Sequence, residues 1–104
     1  MHVVKREPFE TAKLLYPNCA DALDATFKAL KRSDAKTPEE LRQVFPSLDN
    51  FKYVDKWYVI DIGGNKLRLI AFLEFVGGKC FIKHIVTHKE YDRITAQYRN
   101  QSRN

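Results

Sequence analysis

Three apolar runs separated by glycine pairs, between Trp57 and Thr87, constrain this chain more than anything else in it. Trp57-Tyr58-Val59-Ile60-Asp61-Ile62 is aromatic and β-branched, and Gly63-Gly64-Asn65 interrupts it. Lys66 to Phe75 resumes the pattern, Gly77-Gly78 turns the chain, and Lys79 to Val86 closes the series. Glycine supplies the positive φ that tight hairpins need, so the pattern predicts a three-stranded meander. Successive side chains point to opposite faces. Lys66, Arg68, Ile70 and Phe72 therefore share one face, and Leu67, Leu69, Ala71 and Leu73 the other. On the third strand Phe81, Lys83 and Ile85 are expected to oppose Cys80, Ile82, His84 and Val86. A mid-strand cation is commonly a solvated rim residue. Two of them, Arg68 and Lys83, on adjacent strands beside a His and a Tyr make a candidate site.

Thr87-x-x-Glu90 fits a capping box, with Thr87 as N-cap and Glu90 reaching back to its amide. A short helix is expected as the third strand ends, and His88 and Tyr91, three residues apart, share a face of it. The bland alternative is a capped helix whose Tyr91 packs inward and whose His88 is merely exposed. His84 reads as a packed residue on the opposite face of the strand, and His2 as irrelevant.

The first half reads as a short strand at His2-Val3-Val4 followed by helices. Pro8 opens a helix carrying Ala12 and Leu15, which Pro17 ends. Asn18 is the expected cap of a second helix, whose Ala20, Leu23, Phe27 and Leu30 recur at helical spacing. Thr37-Pro38-Glu39-Glu40 is another capping-box signature, for a helix expected to bury Leu41, Val44 and Phe45. Residues 45–53 read as an irregular connection, its aromatics tucked in and Lys52 exposed, like Lys56 just beyond it. Past Ile94 the chain turns polar, and its last few residues are expected to fray. Helices followed by strands mean α+β, with the helices on one sheet face and the face carrying Arg68 and Lys83 open to a partner.

At 104 residues, 44% of them hydrophobic, the chain suffices for a single domain over residues 1–104 with its own core. No apolar run approaches a membrane span, and none follows Lys5-Arg6 as a signal peptide requires, so a cytoplasmic protein without a membrane partner is expected. Cys19 and Cys80 show neither C-x-x-C nor zinc spacing, and read as buried thiols. Nothing suggests a P-loop, a zinc-protease helix or a Ser/His/Asp arrangement. Residues 1–50 hold eight Lys/Arg against eight Asp/Glu, whereas residues 51–104 hold ten against five. The whole net charge of +5 therefore lies in the sheet half, a footprint for a polyanion.

Phe45-Pro46-Ser47-Leu48-Asp49-Asn50-Phe51-Lys52, the segment from Trp57 through Gly63-Gly64-Asn65 to Leu67-Arg68, and Thr87-His88-Lys89-Glu90-Tyr91-Asp92 together resemble HigB-type toxins of bacterial toxin–antitoxin pairs. These belong to the RelE/ParE superfamily, and the resemblance covers nearly the whole chain. It implies a RelE-like domain with a small antiparallel or mixed sheet, N-terminal helices packed on one face and a short C-terminal helix. It implies a ribosome-dependent endoribonuclease that cuts translated mRNA with no metal and no cofactor. Its partners would be mRNA on the ribosome, ribosomal RNA, and a HigA-type helix-turn-helix antitoxin in a complex that binds operator DNA. Such a nuclease must deprotonate the RNA 2′-OH, protonate the leaving oxygen and stabilise charge on phosphorus. Arg68 and Lys83 are then assigned to phosphate, His88 to acid or base, and Tyr91 to stacking or acid. Lys56, Lys52, Lys66 and Lys89 are candidate RNA-binding residues. A ParE-like gyrase poison and a non-catalytic RNA-binding module are the rival readings. A titratable His88 beside Tyr91 favours the nuclease.

Overall fold

Gly63 and Gly64, with φ of 63° and 72°, reverse the chain between a six-residue strand and an eight-residue one. The computed structural model describes residues 1–102. It begins with β1 (His2–Val3), α1 (Glu7–Leu15), a 3-10 turn (Pro17–Cys19), α2 (Ala20–Arg32) and α3 (Pro38–Val44). The sheet half follows as β2 (Asp49–Asn50), β3 (Trp57–Ile62), β4 (Leu67–Glu74), β5 (Lys79–Thr87) and α4 (His88–Ser102). The strands lie in the order β1-β5-β4-β3-β2. β1 runs parallel to β5, and every other neighbouring pair is antiparallel. This is the α+β architecture with a mixed sheet that the sequence implies, and no helix among the described residues is long and apolar enough to cross a membrane.

The β3–β4 register runs from Trp57↔Phe72 to Ile62↔Leu67 without a break. Leu67, Leu69, Ala71 and Leu73 all point into the main core, as alternation requires, against Phe9, Leu23, Leu30 and Leu41 from the helices. Between β4 and β5 the register slips by one residue. Ile70 pairs with His84 but Ala71 with Ile82, which leaves Lys83 as the extra residue of a β-bulge. Strict alternation fails there. Ile82 and Ile85 both pack against the main core, while His84 lies across from Ile70 on the second face. The expected placing of Ile85 and His84 is therefore overturned, and the bulge is the reason.

The second face is not open. α4 is a fifteen-residue helix rather than a short one, and it lies across that face. Tyr91, Ile94 and Tyr98, at i, i+3 and i+7, pack with Phe51, Val59 and Ile70 into a second small core. The sheet is thus covered by α1 to α3 on one side and by α4 on the other. Residues 97–101 are helical, and the expected fraying falls on Arg103 and Asn104, which lie outside the described residues.

Smaller differences have local causes. Asn18 sits inside the 3-10 turn, so Cys19 takes the N-cap position of α2 without a side-chain bond. Val44 is half exposed, because α3 turns it to solvent while Leu41 and Phe45 face inward. Leu15 likewise points outward. The connection after Phe45 contains β2, whose Asp49 and Asn50 pair with Val59 and Tyr58. Thr37 accepts the Glu40 N–H at 3.2 Å, but the Glu40 carboxylate reaches back to the Lys36 amide. Both cysteines are free and buried, and burial pushes the Cys80 thiol up to about 12.

Candidate functional site

Arg68 lies in the middle of a sheet and beneath a helix, which an unpaired guanidinium would not tolerate. Two neighbours accommodate it. Cross-strand register places Asp61 opposite, with Arg68 Nε 3.4 Å from Asp61 Oδ1. α4 brings the Tyr91 ring over the guanidinium, 4.5 Å from its carbon to the ring centroid. The Nε hydrogen is enclosed and finds no aligned hydrogen-bond acceptor. The side chain stays 26% exposed, so its terminal nitrogens remain reachable. Arg68, Asp61 and Tyr91 line a cleft of about 200 Å³ with Ser47, Asp49 and Asn50. Ser47 Oγ accepts the Asp61 N–H at 3.0 Å, so the chain before β2 is tied to the same strand.

Thr87 and Glu90 set the position of α4. Thr87 Oγ1 accepts the Glu90 N–H at 3.3 Å, while the Glu90 carboxylate accepts from the Thr87 hydroxyl at 3.3 Å and from Tyr16 at 3.1 Å. The expected cap is there, but Glu90 turns to Tyr16 rather than to an amide. Burial, and then this bond, raise the Tyr16 phenol above its ordinary value. Tyr91 follows Glu90 directly, so the tie to Tyr16 fixes the helix turn that carries it.

Of the residues expected to form the site, the structure gathers Arg68 and Tyr91 around one cleft. His88 opens α4 and is half-buried, with Nε2 enclosed and unpartnered, and it does not line that cleft. Lys83, lifted out by the bulge, places Nζ 5.7 Å from the centroid of the Trp57 ring. It and Arg68 stand at opposite ends of one aromatic row. Trp57 meets Tyr98 at 5.2 Å, Tyr98 meets Phe51 at 5.5 Å, and Phe51 meets Tyr91 at 6.3 Å. Lys52 and Lys56 are exposed and line a hollow of about 680 Å³ inside the β2–β3 connection, with Lys52 over Tyr53. Lys56 has φ of 64°, uncommon for a side chain of its size, and its carbonyl accepts the Leu73 N–H at 3.1 Å. Lys66 and Lys89 are exposed, in the β3–β4 turn and on α4. Among the described residues no three His, Cys, Asp or Glu side chains gather to hold a metal.

Two groups escaped the sequence reading. Asp61 was legible as the lone acid in an apolar strand, opposite Arg68 once the hairpin is closed. His84 was not, because only the bulge turns it toward Tyr98, whose hydroxyl lies 3.2 Å from Nε2. Burial first, and then the charge of Lys83, hold His84 below its ordinary 6.5. The unfolded chain thus takes up this proton more readily than the folded one. The stability involved is complete above 6.5 and declines as the pH falls through the folded value. Urea unfolding from about pH 7 to about pH 5 is expected to show a falling midpoint, and His84→Gln a shallower fall. Equal slopes in the two proteins would remove His84 as the cause.

The fold and this site define a class: a small α+β protein in a RelE-like arrangement, with an arginine held in a cleft beneath its last helix. The model of a family described as HigB toxin, RelE-like toxic component of a toxin-antitoxin system, matches residues 19–94. An mRNA interferase HigB of Escherichia coli O6:H1 (strain CFT073) is 52% identical over 99 residues, 95% of this chain and 96% of that one. The mRNA interferase toxin HigB of Escherichia coli K12 is 43% identical over 103 residues, 99% of each chain. An mRNA interferase HigB of Shigella flexneri matches to the same extent. The chain belongs to the HigB toxin family, and as a toxic component its partner is an antitoxin.

Proposed function

We propose that this chain is a ribosome-dependent endoribonuclease that cleaves translated mRNA in the cytoplasm, with no metal. An antitoxin of the helix-turn-helix, HigA type restrains it, in a complex that binds operator DNA. The observation that carries the reading is Arg68, held by Asp61 and roofed by Tyr91 in a cleft of the chain's basic half. The names of the relatives, mRNA interferases at 43% to 52% identity, support the same activity.

RNA brings its own nucleophile. A base removes the 2′-OH proton, the 2′ oxygen attacks phosphorus, and the 5′ oxygen leaves with a proton from an acid. The products are a 2′,3′-cyclic phosphate and a 5′-hydroxyl. In this reading Arg68 binds the phosphate and stabilises the charge developing on its oxygens. Asp61 holds the guanidinium in place. His88 transfers the proton, and Tyr91 stacks on a base or acts as the acid. Lys83, at the far end of the aromatic row, takes a neighbouring phosphate. Lys52, Lys56, Lys66 and Lys89 hold the RNA backbone and ribosomal RNA, an interaction that weakens with salt.

Expression without an antitoxin is expected to stop growth and leave mRNA cut within coding regions, in a translating extract as well as in cells. Arrested growth with intact mRNA and inhibited gyrase would overturn the proposal.

A further inference from the structure

β4 accompanies β5 along its whole length, but β1 accompanies it only at Lys79 and Cys80. Val4 donates to the Cys80 carbonyl at 3.0 Å, and the chain then leaves the sheet for α1. From Ile82 to Val86 the outer edge of β5 has no strand beside it among the described residues. A groove of about 460 Å³ lies there instead, walled by Pro8, Ala12 and Leu15 on one side and by β5 from Lys83 to Val86 on the other. A hollow of about 180 Å³ lined by Val4, Phe81 and Ile82 prolongs it toward β1. Leu15 is 66% exposed and its neighbour Leu14 84%, so this wall is apolar and uncovered.

A free strand edge offers backbone donors and acceptors to another strand, and a groove beside it takes alternate side chains of that strand. We infer that an extended segment of the antitoxin docks here as a sixth strand, with apolar side chains in the groove and acidic residues beside them. The inference rests on the toxin–antitoxin reading. At about 3.3 Å per residue the edge spans roughly 17 Å, which a segment of about five residues fills. The acidic character follows from Lys5 and Lys83 on the groove's lining, opposed there by Glu7 alone, in a chain of net charge +5. The same charges disfavour a second copy of this chain, since edge-to-edge pairing would crowd lysines of like charge.

The test uses the full chain with Lys5→Glu and Leu15→Glu together, and the antitoxin of its own operon. Neither residue lines the Arg68 cleft, so growth arrest is expected to persist. Affinity for the antitoxin is expected to fall about 100-fold or more. Leu15→Ser, which adds no charge at an exposed position, is expected to lose part of that. In the unmodified complex the amides of Ile82 to Val86 are expected to exchange about tenfold or more slowly than in the free chain. Unchanged affinity of the double variant overturns the docking surface, as does protection confined to α4 and the Arg68 cleft. A free chain that sediments as a dimer with this edge protected makes the occupant a second copy, and overturns it equally. If the antitoxin neither binds nor neutralises the unmodified chain, the toxin–antitoxin reading falls and the docking surface with it.

Discussion

Replacing Arg68 by alanine is expected to slow single-turnover mRNA cleavage on ribosomes by about 10²–10³-fold, the usual effect of removing one preorganised donor from a developing oxyanion. Growth arrest should disappear with it. The guanidinium lies under Tyr91 and beside Asp61 rather than on an open surface, so truncation also costs stability. Half-exposed cation–π contacts contribute about 0.5–2 kcal/mol, and a partly exposed ion pair at most about 1 kcal/mol. A loss of about 1–2 kcal/mol on urea unfolding is therefore expected, too little to unfold a domain of ordinary stability. Arg68→Lys keeps the charge but not the planar fork, and should restore more stability than rate. A variant that loses several kcal/mol yet cleaves normally at low temperature would make Arg68 a structural ion.

His88→Ala is expected to slow the same step by about 10²-fold or more, at the low end of general acid–base contributions, with ribosome affinity nearly unchanged. Its Nε2 is enclosed without a partner, and a polar atom kept in that state calls for a reason. Lys52→Ala is the contrasting case, because an exposed backbone-binding lysine weakens affinity and flattens the salt dependence without slowing the bound complex. Tyr91→Phe separates the roles left to that residue: stacking tolerates the change and proton donation does not. Should His88→Ala bind poorly and cleave normally once bound, His88 is a docking residue and Arg68, Lys83 and Tyr91 carry the chemistry.

What was legible in the sequence follows from local rules. Glycine pairs marked both hairpins, and Thr37 and Thr87 marked helix starts through hydroxyls that do accept the expected amides. The face shared by Arg68 and Ile70 came from alternation within one unbroken register. Other features depend on groups distant in sequence. α4 was read as short because its composition is polar, although Tyr91, Ile94 and Tyr98 recur at helical spacing. That stripe has meaning only if Phe51 and Ile70 wait across from it. β2 is two residues long and owes its existence to pairing with β3, so no propensity announces it. His84 was misplaced because alternation cannot foresee an extra residue in one strand. Arg68 was found, but not its cover, since the roof comes from another element.

The slip at Lys83 has a consequence for how such chains diverge. Position 83 acts as a phase marker, since residues before and after it follow opposite parity rules. Losing that one residue would not shorten a loop. It would remove the bulge, leaving Ile82, His84 and Ile85 consecutive opposite Ala71, Ile70 and Leu69, each on the face it occupies now. A descendant that drops position 83 can therefore keep the polar and apolar order from Ile82 to Thr87 as it stands. Comparisons among relatives that slide a gap past this lysine would match core residues of one chain with surface residues of another.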